Sequence, residues 1–231
     1  PRVSPVAFHP FSIVLKNAEG LMHTVARSKK EETQPLLEDV QTGATPPVAA
    51  APSAVQVLIK PVGPWTRRLA GLAPEALMNS RVFHTGASGT AGYPLGDADD
   101  LVLVGSGSGF AGMLGCLQAL VLDGRCDVQA VGIDATADMF TYFAEELAFC
   151  ARHVSAVSLF CSKATDDTEV GSGLVASHGR PDLRAIAEAK RDCGTVTVLV
   201  WGSRRVCGSV RRSFQNVDGT WFSVVCFDGH Y

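Results

Sequence analysis

The chain has 231 residues, of which 46% are hydrophobic and 19% charged, and its formal net charge is −3 at pH 7. This length and apolar content suffice for one large or two modest domains with buried cores, and we expect two. Because the charge is close to neutral and no basic stripe occurs, nucleic acid is not an expected partner.

The cysteines and histidines show no ligand spacing. The seven cysteines are odd in number and scattered, and none forms a CxxC pair, so neither a zinc site nor a disulfide framework is expected. Several lie in apolar runs, where a thiol behaves as a small buried hydrophobe, which favours a reducing compartment. The six histidines show no HxxxH or HxxE spacing, so we expect no metal site.

The first part of the chain carries short strand patterns interrupted by a polar stretch. Alternating and β-branched residues predict strands at Phe11–Leu15, Leu21–Arg27, Val55–Val62 and Arg81–His84. A short helix is predicted to begin at Pro64. Residues 28–53 combine a charge cluster, several prolines and few large apolar residues, so we expect a surface insertion there. Residues 1–95 are therefore predicted to form a small β domain.

After this β domain, over residues 96–231, strands and helices alternate. The predicted strands are Leu101–Val104, Val128–Ile133, Val157–Cys161 and Thr195–Trp201. The predicted helices are Gly112–Leu122, Met139–His153, Asp182–Arg191 and Val206–Phe214. Strands that are apolar on both faces predict a parallel sheet covered by helices on each side, a doubly wound α/β domain.

A glycine-rich turn joins the first of these strands to its helix, with glycines at Gly105, Gly107, Gly109 and Gly112. Such a turn lets the backbone approach a phosphate, and the following helix offers unpaired N–H groups to the negative charge. The same glycines could serve only to pack strand against helix, and their spacing does not decide between the two. The uncharged run from Leu101 to Leu122 is long enough to span a bilayer, but its glycine- and serine-rich centre predicts a buried core segment instead.

Short motifs occur along the chain in a fixed order. The first are His9-Pro10-Phe11-Ser12, the segment KPVGPWTRRL at 60–69, and GASGT at 86–90. The later ones are GSGSGFAG at 105–112, FTYFAEEL at 140–147, HGRPD at 178–182, Trp201-Gly202-Ser203 and the terminal Tyr231. In this order they resemble the motifs of the cytosolic dehydrogenase region of the NADPH oxidase and ferric reductase family: HPF[TS], IKxxGxWTxxL, GP[YF]GT, GxGxGxxP, FxWFxxL, GRP[ND], CGP and a final aromatic residue.

The resemblance implies a ferredoxin-reductase-like fold. A partial antiparallel β-barrel over residues 1–95 would bind FAD, and the α/β domain over 96–231 would bind NAD(P)H. The implied cofactor-binding residues are His9, Pro10, Phe11, Ser12, Lys60, Trp65, Thr66, Gly86, Gly89, Thr90, Gly105, Gly107, Gly109, Arg180, Gly202 and Tyr231. Hydride would pass from the nicotinamide to the flavin, and electrons would leave towards a haem or metal acceptor. The family also implies membrane association, on the soluble face of a larger complex.

Four of these residues also have an ordinary interpretation. His9 before a proline is typical of a strand edge, and Trp65 alone is typical of a core or interdomain aromatic residue. Arg180 in a loop is usually solvated, and a terminal Tyr231 is usually frayed. Their shared order is what favours the functional interpretation.

Departures from the family pattern fall at the catalytic motifs. Gly112 replaces the proline of GxGxGxxP, Ala87-Ser88 replaces the proline and ring of GP[YF]G, and Trp201 replaces the cysteine of CGP. Asp134-Ala135-Thr136 stands where many relatives carry an arginine for a 2′-phosphate; an aspartate there suits the 2′-hydroxyl of NADH, or repels any dinucleotide. Two hypotheses follow: an active flavin-dependent oxidoreductase, or a catalytically degenerate relative that serves as a structural or assembly subunit.

Overall fold

The structure is a computed structural model that describes residues 13–15, 55–57, 67, 71–73, 100–215 and 217–228. The strands predicted at Leu21–Arg27 and Arg81–His84 and the insertion at 28–53 lie outside the described residues. Of the helix predicted to begin at Pro64, the structure describes Arg67, which is helical.

Strands and helices alternate through most of the described chain. The strands are β1 (Ile13–Leu15), β2 (Val55–Val57), β3 (Asp100–Ser106), β4 (Val128–Asp134), β5 (Ala156–Cys161), β6 (Thr168–Gly171), β7 (Leu174–His178), β8 (Gly194–Gly202) and β9 (Thr220–Asp228). The helices are α1 (Gly109–Leu122), α2 (Asp138–Tyr142), α3 (Ala144–Ala151), α4 (Leu183–Glu188) and α5 (Arg204–Phe214).

A seven-stranded sheet forms the centre of the molecule, with strand order β6-β7-β5-β4-β3-β8-β9. All neighbouring strands are parallel except β6 and β7, which are antiparallel. Strands β1 and β2 form a separate antiparallel pair, with Ile13 opposite Val57 and Leu15 opposite Val55. The chain therefore has a mixed α/β fold with a mostly parallel sheet, as the alternating pattern predicts.

The central strand β3 is buried on both faces because successive side chains point to opposite sides of a strand. Leu101 and Leu103 pack in one core cluster with residues of α1, α2 and α3. Val102 and Val104 pack in a second cluster with residues of α4 and α5. Helices thus cover both faces of the sheet, which explains why its strands are continuously apolar.

Helix α1 has 14 residues and is buried on nearly every side. Its buried positions run round the helix and include Phe110, Gly112, Leu114, Cys116 and Gln118. A helix that is apolar all round has to be enclosed; α1 contacts β3, β8 and α3, and the Cα atoms of β1 pass within 8 Å of it. The run from Leu101 to Leu122 is thus a strand, a turn and a core helix, as predicted. Within the described residues, no helix combines the length and apolarity needed to cross a membrane.

The observed elements differ from the sequence predictions in three places. The single helix predicted over Met139–His153 is two helices, because Phe143 leaves helical geometry with φ −105° and ψ 21° and buries its ring near that of Phe110. The β6–β7 hairpin was not predicted. Strand β9, the last of the sheet, was not predicted either.

Candidate functional site

The carboxyl ends of the parallel strands meet along one edge of the sheet. From β3 the chain moves outward through β4, β5 and β7, and then returns to form β8 on the opposite side of β3. The connections leaving β3 and β8 therefore diverge and leave a crevice between their carboxyl ends. In open parallel sheets, this is the position where ligands bind.

The glycine turn after β3 lies at this crevice, and its glycines have different roles. A Cβ on Gly105 would lie 2.8 Å from the Cβ of Met113, and one on Gly109 would lie 2.6 Å from the carbonyl oxygen of Trp201. These two glycines are therefore required for close packing. Gly107 has φ +56° and no atom within 4 Å of the place where its Cβ would stand, so it supplies the backbone conformation and faces open space.

The backbone of the turn is fixed to its neighbours at both ends. The N–H of Gly107 donates to the carbonyl oxygen of Ile133 on β4 at 3.0 Å, and the N–H of Phe110 donates to the carbonyl oxygen of Gly107 at 2.9 Å. Ser108, at the N-cap of α1, makes no side-chain cap hydrogen bond, and the first turn of α1 carries no acidic residue. The first N–H groups of this helix are thus not satisfied by its own cap side chain.

Trp201 and Gly202 form the β8 side of the crevice. The Trp201 side chain is only 7% exposed, and its ring stacks on that of Phe227 with centroids 4.9 Å apart. A Cβ on Gly202 would lie 3.2 Å from Cγ1 of Val206 and 3.5 Å from the Cβ of Ser106. Gly202 therefore lets the β8 end approach both the β3 end and α5, while the bulk of Trp201 is taken up by the core.

Asp134 ends β4 and is only partly buried. Its Oδ1 accepts a hydrogen bond from the N–H of Ala135 at 2.7 Å. Ile133, the residue before it, binds the N–H of Gly107, so Asp134 lies directly beside the glycine turn. Burial, and then the carboxylates of Asp134 and Asp138, raise the pKa of the Cys161 thiol on the next strand. Both carboxylates thus lie near Cys161 at this point of the edge.

Arg180 lies at the same edge, farther from the turn. Gly179, with φ +86°, donates its N–H to the carbonyl oxygen of Cys161 at 2.9 Å, and Arg180 follows as an exposed residue. Between β7 and β3 lie β5 and β4, which corresponds to about 14 Å at ordinary strand spacing. Arg180 could thus contact only the distal end of an elongated ligand that begins at the glycine turn.

The structure brings together four of the predicted site residues, Gly105, Gly107, Gly109 and Gly202, and places Arg180 on the same edge. The other predicted site residues lie outside the described part of the chain: His9, Pro10, Phe11, Ser12, Lys60, Trp65, Thr66, Gly86, Gly89, Thr90 and Tyr231.

Two exposed hydroxyl groups at this edge were not among the predicted site residues. Ser108 is at the N-cap of α1, and Ser203 is at the N-cap of α5, where its Oγ accepts from the N–H of Val206 at 3.4 Å. Ser108 follows Gly107 just after β3, and Ser203 follows Gly202 at the end of β8; a serine after a glycine at a strand end was the signal available in the sequence. Among the described residues, no group of histidine, cysteine and acidic side chains could hold a metal ion.

A scan against models of protein families gave no match, and a search of curated proteins gave no significant relative.

Proposed function

We propose that this chain binds a nicotinamide dinucleotide at the crevice between β3 and β8 and delivers its hydride to FAD, as a flavin-dependent oxidoreductase related to NADPH oxidases and ferric reductases. The observation that carries the proposal is the glycine turn. Gly107 faces open space beside the uncapped first turn of α1, and both lie where the strand connections diverge. Such a site suits a pyrophosphate.

The proposal includes a ferredoxin-reductase-like architecture. Residues 96–231 would be the doubly wound dinucleotide-binding domain, which agrees with helices on both faces of a mostly parallel sheet. Residues 1–95 would form a partial β-barrel that holds FAD, which agrees with the antiparallel pairing of β1 and β2. The passage of β1 beside α1 supports contact between the two parts of the chain.

In this proposal the residues of the chain bind and orient the dinucleotide. The N–H groups of the turn and of the first turn of α1 donate to the pyrophosphate. The carboxylate of Asp134 accepts hydrogen bonds from ribose hydroxyls, and the Arg180 guanidinium contacts the adenosine end. FAD would be held by the predicted residues His9, Ser12, Lys60 and Thr66, and would supply the hydride-accepting and one-electron chemistry needed to reduce a haem or metal acceptor in a membrane-associated complex.

In this proposal, Asp134 makes the chain bind NADH in preference to NADPH. A 2′-phosphate placed beside this carboxylate would suffer like-charge repulsion, whereas a 2′-hydroxyl would donate a hydrogen bond to it. This preference differs from the NADPH that the resembled family uses.

Calorimetric titration of the purified chain with NADH and with NADPH tests the proposal. We expect tighter binding of NADH, and we expect Asp134→Ser to weaken NADH binding by about tenfold while improving NADPH binding. Asp123→Ser is the matched control, because Asp123 is exposed at the other end of α1. In parallel, the chain reconstituted with FAD should show a flavin absorbance that NADH bleaches. Tighter binding of NADPH by the unmodified chain would contradict the role of Asp134.

A second candidate function is a structural or assembly subunit without catalysis. The observation that favours it is Trp201, a large side chain built into the core at the position where the resembled family has a cysteine beside the nicotinamide. A folded chain that binds neither dinucleotide nor FAD would favour this function over the first.

A further inference from the structure

The two edge strands of the sheet are protected to different degrees. Strand β6, at one edge, has only four residues, carries the exposed Glu169 and has a register irregularity between Glu169 and Gly171. Short length, charge and irregular pairing are the devices by which proteins prevent an edge from pairing with another chain. The edge at β6 is therefore closed to strand addition.

Strand β9, at the other edge, has none of these devices. It has nine residues, TWFSVVCFD, with no proline and no charge before Asp228, and its pairing with β8 is regular along its whole length. Among the described strands, β8 is its only neighbour. Trp221 is 75% exposed. A long, regular, uncharged edge of this kind is a template for another strand.

A basic cavity lies beside this edge. It has a volume of about 350 Å³ and is lined by Arg204, Cys207, Gly208 and Arg211 of α5 and by Cys226 of β9. Arg204, Gly208 and Arg211 are spaced so that they share one face of the helix. A Cβ on Gly208 would lie 3.5 Å from Nη1 of Arg212, so a further guanidinium lies beside this glycine. Helix α5 carries four arginines and no acidic residue. Arg211 makes no ion pair with any residue that the structure describes.

We propose that the β9 edge and this cavity together form a docking site for an extended acidic segment of a partner protein. The segment adds to β9 as a further strand. Its side chains alternate between the two faces of the sheet. Cys226 lines the cavity and is on the α5 face of the sheet. Side chains of the added segment on that face therefore enter the cavity and place carboxylates against the arginines. Those on the other face lie beside Val225 and Phe227, which pack towards the opposite core.

The proposal specifies the segment by its pattern: acidic residues at every second position, with apolar residues between them. The charge of α5 selects this partner over a neutral strand, because a helix with four arginines and no acidic residue of its own attracts a run of negative charge. The inference does not depend on the proposed oxidoreductase activity, since it uses the edge of β9 and the arginine side chains of α5 and not the N–H groups of the glycine turn.

Fluorescence anisotropy of a labelled peptide tests the docking site. The probe is a peptide of about ten residues that alternates valine and glutamate, titrated with the full chain. We expect saturable binding that weakens with added salt, and no binding of the matched peptide that alternates valine and lysine. Arg211→Glu should weaken binding by about tenfold or more. Arg205→Glu, the same charge change on the same helix but outside the cavity lining, should weaken it by about twofold at most.

Peptides with N-methyl groups on alternate residues distinguish strand addition from charge attraction. A strand directs every second N–H towards its neighbour, so one of the two alternate methylation patterns should abolish binding and the other should leave it intact. Equal binding of both methylated peptides would overturn the proposal, as would equal loss in the Arg205 and Arg211 variants. Binding of the chain to anionic phospholipid vesicles without binding of the peptide would also overturn it. Circular dichroism and the urea midpoint of each variant verify that it is folded.

Discussion

The glycines of the turn after β3 show how differently identical residues act within one motif. Gly105 and Gly109 face atoms of Met113 and Trp201 that leave no room for a side chain, whereas Gly107 faces open space with φ +56°. Sequence spacing could not separate the packing interpretation from the ligand interpretation, because both require glycine. The separation depends on what lies opposite each residue; for Gly109 this is Trp201 of β8, which follows the turn by some 90 residues.

Replacement of Gly107 by alanine should reduce dinucleotide binding more than it reduces stability. The positive φ costs an alanine about 1–2 kcal/mol of folding free energy, and the added methyl group stands where the proposed pyrophosphate approaches. Gly124→Ala is the matched control, since Gly124 also has a positive φ, +80°, and open space at its Cβ. Urea unfolding should give similar losses for both variants, while calorimetry with NADH should show loss of affinity for Gly107→Ala alone. Equal NADH affinity of the two variants would show that the turn does not contact the dinucleotide.

The cysteines should differ sharply in reactivity. Burial, and then the nearby carboxylate of Glu146, raises the pKa of Cys150 to about 12, partly offset by Arg152. At about pH 8 its thiolate fraction is therefore on the order of one in ten thousand. Cys126 is exposed. Iodoacetamide labelling followed by peptide mass spectrometry should modify Cys126 in the native chain and Cys150 only after urea is added; early labelling of Cys150 would show that α3 opens readily.

Among the secondary-structure elements, the strands and helices with continuous apolar patterns were predicted well. Strands β3, β4, β5 and β8 and helices α1 and α5 all overlap their predicted ranges, because each buries enough apolar surface to leave a clear pattern. The β6–β7 hairpin was missed because its strands are short and partly polar. Its two-residue turn, Ser172-Gly173, with φ 53° and 77°, was the available signal. Strand β9 was missed although its sequence, TWFSVVCFD, is rich in aromatic and β-branched residues, and this run was the available signal.

The β6–β7 hairpin should become less stable in acid, because one of its stabilising carboxylates is then protonated. The N–H of His178 and its ring Nδ1 both lie 2.8 Å from Oδ1 of Asp167, and these hydrogen bonds lower the pKa of Asp167 from its ordinary value of 3.8. A lowered carboxylate pKa stabilises the fold above the unfolded-state pKa, and this contribution is lost as pH falls through the folded-state value. Asp167→Ala should thus be less stable than the unmodified chain at neutral pH, and the difference should shrink below about pH 4. Urea unfolding across that range measures it; a constant difference would contradict the linkage.

At the scale of the whole molecule, the sequence indicated a parallel α/β sheet but not its strand order. The order depends on contacts between distant segments, such as β3 with β8, that no local pattern records. For the same reason the glycine spacing left the packing and phosphate interpretations of the turn open, and only the family resemblance, not a local pattern, implied that Gly202 belongs to the same site. An ion pair 2.9 Å long joins Lys190 Nζ to Asp100 Oδ1 across distant parts of the chain, with side chains 14% and 20% exposed.

Removal of this ion pair should cost more than removal of an exposed one. Asp100→Asn leaves Lys190 largely shielded from water without its counter-charge, and we expect a loss of about 1–3 kcal/mol in the free energy of unfolding. Glu188→Gln is the matched control: its pair with Arg184 spans one helical turn, with side chains 44% and 48% exposed, and should cost less than about 1 kcal/mol. Chemical denaturation of both variants gives the comparison. Equal losses would mean that the Lys190 pair does not energetically link β3 to the turn that follows α4.

The strand order also has a consequence for folding during synthesis on the ribosome. Strand β3 can pair with β4 soon after both emerge, but its other neighbour, β8, begins at Gly194, long after β3 ends at Ser106. At ordinary translation rates of about 5–20 residues per second, that edge of β3 stays uncovered for roughly 4–18 s. One of the most apolar strands of the molecule is thus open to wrong partners throughout that interval, and a chaperone that shields it would be expected to raise the yield of native protein.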